Sequence, residues 1–158
     1  MVLLETSLKR INNLLSTVYS DIMKVEEREL RKSEFKDISL RELHAIDAIT
    51  MYEHKTSSQV ARELMVTAGS LSTMVNNLVR KGYVMRINGE DDRRIIRLGL
   101  TSRGRLIYRA HDSFHRHMVK KFIAGFDNEQ VAIIERALLN LRAFLEFPAR
   151  IDNKRSVN

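Results

Sequence analysis

Thr56-Ser-Ser-Gln-Val-Ala-Arg-Glu-Leu-Met65-Val66-Thr67-Ala-Gly-Ser-Leu-Ser-Thr-Met-Val-Asn-Asn-Leu-Val-Arg-Lys-Gly82 is the stretch that decides the fold. It reads as helix, tight turn, helix. Thr56 is a good N-cap, and Gln59 stands three residues on, the spacing of a capping box. Val60, Ala61 and Leu64 recur at helical spacing and form the buried face of the first helix. Thr67 is a second N-cap. Leu71, Met74, Val75 and Leu78 cluster on one side of the helix it starts. Gly82 follows the last apolar position and fits a left-handed C-cap.

The other face of that second helix carries Gly69, Thr73, Asn76 and Arg80, with Ser70 and Asn77 beside them. A helix that is only solvated would more usually carry Glu and Lys. Small hydrogen-bonding groups let a helix approach a base edge in the major groove, and an Asn amide can bond adenine through two hydrogen bonds. A solvated polar face is the simpler alternative for these residues taken alone.

Downstream, Tyr83-Val-Met-Arg-Ile87 and Ile95-Ile-Arg-Leu98 are β-branched, apolar-rich runs. Asn88-Gly89 between them is a strong turn signal. Five further residues follow it, so the connection is an extended loop. Asp92, Arg93 and Arg94 fall in this loop, and its arginines suit a minor groove, where negative potential is focused. The expected unit is a winged helix-turn-helix over about residues 39–101.

The flanks are helical. Leu8, Ile11, Leu14, Leu15, Val18, Ile22 and Val25 recur at spacings of three and four between Glu5 and about Arg31. Such a helix is about 40 Å long. An apolar stripe of that length, remote from the reader, points to burial against a partner subunit; an intramolecular bundle is compatible with it. Ser39-Leu-Arg-Glu42 is a capping box that opens a helix to about Met51. Thr101-Ser-Arg-Gly104 opens a long helix to about Ala124, which Gly125 ends. Asp127 and Gln130 begin the last helix, and Pro148 is expected to follow its end near residue 147. Residues 150–158 read as a polar, frayed tail. The expected fold class is mainly α with a small β wing. The order is α-α-α-α-β-β-α-α, in a single domain over 1–149 with long terminal dimerisation helices at about 5–31 and 102–147.

Composition sets the outer bounds. The chain has 158 residues and a formal net charge of +7, which favours phosphate partners without specifying them. It has no cysteine, so no disulfide, thiol sensor or thiolate metal site. No apolar run approaches a membrane span and Met1–Arg10 lacks a signal-peptide pattern, so a cytoplasmic location with no membrane partner is expected. There is no Gly-rich phosphate loop and no Gly-x-Ser-x-Gly elbow, so no enzyme and no cofactor are expected.

The helix-turn-helix, then Asp92-Arg-Arg94, then Leu-Gly-Leu-Thr101-Ser-Arg-Gly104 resembles the MarR family of bacterial transcription regulators. Family members carry an Asp-x-Arg in the wing, seven residues before the Thr of a Leu-Thr-x-x-Gly helix start, and Asp92 and Arg94 match that spacing. The resemblance implies a homodimer on double-stranded palindromic DNA, with Arg94 in the minor groove and Asp92 orienting its guanidinium. The phrases Phe35-Lys-Asp-Ile-Ser-Leu-Arg-Glu-Leu-His44-Ala-Ile-Asp, Glu63-Leu-Met-Val-Thr67, Asn76-Asn-Leu and Gly104-Arg-Leu-Ile-Tyr-Arg-Ala-His111 are similar to the branch of that family that represses fatty-acid synthesis genes. That similarity implies long-chain acyl groups on acyl carrier protein as corepressor.

His44, His111 and His115 are the candidate ligand-binding residues. His111 and His115 are four apart and share a helix face. As pocket residues, His111 would hydrogen-bond near the polar head of an acyl carrier while apolar neighbours hold the chain. Zinc-responsive members of the family resemble this sequence at the same three histidines, and Glu26 or Glu27 could supply a fourth ligand. Two readings therefore stand beside the fatty-acid repressor: a zinc-responsive regulator, and a sequence-blind nucleoid protein that binds through charge alone.

Overall fold

The computed structural model describes the backbone of residues 2–88 and 95–155 and the side chains of residues 4–88 and 95–146. The elements are α1 (Val2–Lys32), α2 (Leu40–Ile49), α3 (Ser57–Glu63), α4 (Ala68–Arg80), β1 (Val84–Asn88), β2 (Ile96–Leu100), α5 (Ser102–Phe122) and α6 (Asn128–Arg155). The order is the one expected. Residues up to Tyr108 make one compact unit and residues from Arg109 a second.

In the first unit each short helix starts where a side chain takes over an orphan backbone N–H. The Glu42 N–H donates to Ser39 Oγ, and Glu42 returns the contact to the Ser39 N–H. Thr56 and Gln59 make the same reciprocal pair. Thr67 Oγ1 accepts from the Ser70 N–H at 3.2 Å. The helix ends close by a shared device. After α4, the Gly82 N–H reaches the Val79 carbonyl and the Tyr83 N–H reaches Leu78, with Gly82 at φ 79°. After α3, the Met65 N–H reaches Arg62 and the Val66 N–H reaches Ala61, with Met65 at φ 52°. Both are Schellman closures. The second one makes the tight turn of the helix-turn-helix without a glycine.

The core lies under α2, α3, α4 and the wing. Ile46, Ile49, Val60, Leu71, Leu78, Tyr83, Val84 and Leu98 are essentially fully buried. Leu30 and Phe35 reach it from upstream, Ile107 and Tyr108 from α5. β1 and β2 pair antiparallel, Arg86 facing Leu98. The stretch before α3 extends this ladder, because the Leu98 N–H donates to the Lys55 carbonyl and Thr56 bridges Arg97. The α5 start is docked on the wing. The Thr101 N–H and hydroxyl reach the Tyr83 and Gly82 carbonyls, and a Cβ at Gly104 would overlap the Tyr83 carbonyl oxygen. That close approach is the physical content of the Thr-x-x-Gly helix start.

α1 is helical throughout, as its periodicity implies, but Leu8, Ile11, Leu14, Leu15 and Val18 remain about half exposed. In the second unit, α5 stops at Phe122, two residues before the expected end, and Gly125 takes φ 89° in the turn. Asp127 and Gln130 cap α6 reciprocally. Leu138, Leu141, Phe144 and Leu145 along α6 are exposed. The largest boundary difference from the sequence reading is at the end of α6. α6 continues past Pro148 to Arg155, where an end near 147 and a frayed tail from 150 were expected. A proline forfeits its own amide donor and crowds one carbonyl a turn back, so it weakens a helix without always ending it.

Candidate nucleic-acid interface

α4 presents the polar face that the helical spacing implies. Thr67, Gly69, Ser70, Thr73, Asn76 and Arg80 are exposed, and Asn77 is half-buried. Ser72 lies on the same side, three residues from Gly69 and four from Asn76; helical arithmetic alone would have included it. Several of these groups already have intramolecular partners. The Thr67 hydroxyl caps the helix and donates to Ser70 Oγ at 2.9 Å. Thr73 Oγ1 donates back to the Gly69 carbonyl at 3.1 Å. Arg80 Nη2 donates to Asn77 Oδ1 at 3.0 Å. Asn76 Oδ1 accepts from Arg86 Nη2 at 2.6 Å, so a wing strand reaches the polar face of α4. Sequence reasoning passed over Arg86. The only signal for it was a cation at the third position of β1, between Met85 and Ile87. Asp92, Arg93 and Arg94 lie outside the described residues.

Two polar networks, each centred on one buried side chain, brace the end of α4. Glu42, on α2, accepts from Lys81 Nζ at 2.9 Å, just beyond the last turn of α4. Burial pushes the Glu42 carboxyl up, but the Lys81 hydrogen bond, the Ser39 N–H and the Lys81 charge outweigh it, and it sits below the usual carboxylate range. Tyr83 is fully buried, and its hydroxyl donates to Asp37 Oδ1 at 2.6 Å. Arg103 donates to the same oxygen at 3.2 Å and to the Lys81 carbonyl at 3.0 Å, and its guanidinium lies 4.3 Å over the Tyr83 ring. Burial first, then the Asp37 hydrogen bond and charge, raise the Tyr83 phenol. Burial raises the Asp37 carboxyl, while Tyr83, the local backbone, Arg103 and Lys81 together bring it below its ordinary value. The recognition helix, the wing and the start of α5 are thus cross-braced by charge-assisted hydrogen bonds.

The histidines take distinct places. In the first unit His44 Nε2 lies 3.1 Å from Glu26 Oε2, and the Glu26 side chain is 1% exposed. Glu27 turns outward instead and pairs with Arg31 at 2.6 Å. Of the two carboxylates considered beside His44, Glu26 is therefore the one within reach. In the second unit His111 is buried and His115 half-buried, their rings 4.4 Å apart edge to face. No described helix is long and apolar enough to cross a membrane.

A helix-turn-helix with a two-stranded wing, a polar exposed second helix and two polar braces at that helix's end defines a winged-helix DNA-binding protein. Residues 36–95 match the MarR family. The chain is 47% identical to Streptococcus pneumoniae FabT, whose structure was solved in complex with DNA. The match covers 88% of this chain and 97% of that one, with a TM-score of 0.80. Staphylococcus aureus MepR, also solved with DNA, shares the fold at 20% identity and a TM-score of 0.69, over 84% of this chain and 94% of its own. The Bacillus subtilis HTH-type transcriptional regulator YpoP, itself uncharacterised, is 25% identical over 122 residues, 77% of this chain and 86% of its own length. The chain belongs to the MarR family and is a DNA-binding transcriptional regulator.

Proposed function

We propose that this regulator is a dimeric, sequence-specific repressor of fatty-acid synthesis genes that reads a palindromic duplex, with a long acyl chain on acyl carrier protein as corepressor. The observation that carries this reading is the 47% identity to FabT, sustained over 97% of that chain. The resemblance of residues 35–47 and 104–111 to the fatty-acid-repressing branch of the family supports the same reading. The exposed small polar groups of α4 support base reading over charge-only binding. The half-exposed apolar stripe of α1 supports a second copy as its cover. Dimerisation would set two recognition helices in successive major grooves, about 34–36 Å apart. By the family resemblance, Arg94 enters the minor groove and Asp92 orients it. His111, buried on α5, is the histidine we assign to the ligand's polar head, with His44 and His115 as further contacts.

The test is a binding titration at fixed salt on a fatty-acid-synthesis promoter fragment and a scrambled duplex. It is run with and without long-chain acyl carrier protein, and repeated with zinc or with chelator. Selective binding that the acyl carrier tightens is the expected result, with His111→Ala losing that response and Arg94→Ala losing affinity for A·T-flanked sites. Selectivity that requires zinc would replace this reading with the metal-responsive one. Equal affinity for both duplexes would leave a sequence-blind DNA-binding protein.

A further inference from the structure

The contact between Asn76 and Arg86 decides what Asn76 can read. An Asn amide carries one acceptor oxygen and two N–H donors, and adenine recognition uses one of each. Here Asn76 Oδ1 takes a short hydrogen bond from the Arg86 guanidinium at 2.6 Å. Turning the amide over would bring its N–H groups against a cation that can only donate, so the guanidinium selects one orientation. The two residues come from different elements, α4 and β1, whose relative position is set by the buried Tyr83 and by the Schellman closure at Gly82. Both side chains are exposed on the reading side, so the pair meets DNA already formed. What it offers, among the described residues, is a row of donors: the N–H groups of Asn76 Nδ2 and those of the guanidinium not spent on Oδ1.

From this geometry we infer that Arg86 is a positioning residue for base recognition, locking the Asn76 amide nitrogen outward so that the pair selects an acceptor-only base edge. Guanine, with O6 and N7 both accepting, is the best match, ahead of thymine, which offers O4 alone beside its methyl group. Adenine is disfavoured because its N6 amino group would meet a donor, and cytosine more so because it offers only a donor there. The adenine pairing that an isolated Asn suggests is therefore replaced by a guanine preference. This inference rests on the sequence-specific reading above.

The experiment first selects a preferred duplex from a random library with the full-length wild-type chain. Affinities are then measured by fluorescence anisotropy for every single base-pair change in one half-site, at one salt concentration. The proteins compared are the wild type, Arg86→Ala, Asn76→Ala, the double variant and Asn76→Asp, each checked by thermal melting. If selection enriches no sequence, the sequence-specific reading itself fails, and this inference falls with it. With an enriched site, the wild type should favour guanine at one position of the half-site by about tenfold or more. Arg86→Ala should erase that preference at that position alone, and the double variant should lose no more of it than either single change. Asn76→Asp keeps an acceptor for Arg86 but removes the amide donors, and should move the preference toward cytosine, whose N4 donates. The inference is overturned if Arg86→Ala lowers affinity for every duplex alike while the base preferences stand, since that is the behaviour of a phosphate contact. An adenine preference at the Asn76-dependent position in the wild type would overturn it equally.

Discussion

The apolar residues of α4 and those of α1 follow one spacing rule and end in opposite surroundings. Leu71, Val75 and Leu78 are buried to the last few per cent, whereas Leu8, Ile11, Leu14 and Val18 keep about half their surface in contact with solvent. Periodicity therefore specifies that a helix has an apolar face but not what covers it. The reader closes its own core between Leu30 and Tyr108 and adds two polar braces to it. The N-terminal half of α1 brings a comparable stripe that stays about half exposed. Exposed apolar surface of that extent marks an interaction face.

The sharpest way to break this contrast is to truncate one leucine from each helix. Leu78→Ala should lower unfolding free energy by about 2–5 kcal/mol, because its cavity opens inside a packed core. Leu14→Ala should instead weaken self-association, read as a shift toward monomer on dilution in sedimentation. A loss at Leu14 as large as that at Leu78, and independent of protein concentration, would show that α1 is covered within its own chain.

Gly104→Ala comes next. The added Cβ would overlap the Tyr83 carbonyl, and backbone yields less readily than a side chain, so a loss of about 1–3 kcal/mol is expected by urea unfolding. A neutral effect would mean that α5 is not tightly docked on the reader.

The smallest effect concerns the Glu42–Lys81 brace and depends on pH. The folded Glu42 carboxyl is held below its ordinary value, so its contribution is fully present above the unfolded value of about 4.3. It is lost as pH falls below that value and through the folded one. Glu42→Gln should therefore weaken the fold by about 1–2 kcal/mol at pH 7, and wild type and variant should converge in acid. A gap that persists unchanged to pH 2 would assign the loss to packing and not to ionisation.

Much of the reader was legible without coordinates because its signals are local. Ser39 with Glu42, Thr56 with Gln59, Thr67 and Gly82 act through atoms a few residues away, so their spacing already contains their geometry. The exposed face of α4 was legible for the same reason. Arg86 was not, because its partner Asn76 lies across a helix end and a turn, and no spacing rule links a strand arginine to a helix asparagine. Nor was Met65 in the left-handed region, since nothing in its chemistry asks for that conformation.

The order of elements, the helix starts, the two apolar faces and the family resemblance all follow from the chain, because each depends on residues close in sequence or on a motif of fixed spacing. Only the tertiary structure decided that Glu26, not Glu27, faces His44, that Glu42 and Lys81 pin the end of α4, and that a buried Tyr83 ties Asp37 to Arg103. It also decided that the Asn76 amide oxygen is held by Arg86 of β1. These facts join residues brought together by core packing, where distance along the chain carries no information about distance in space.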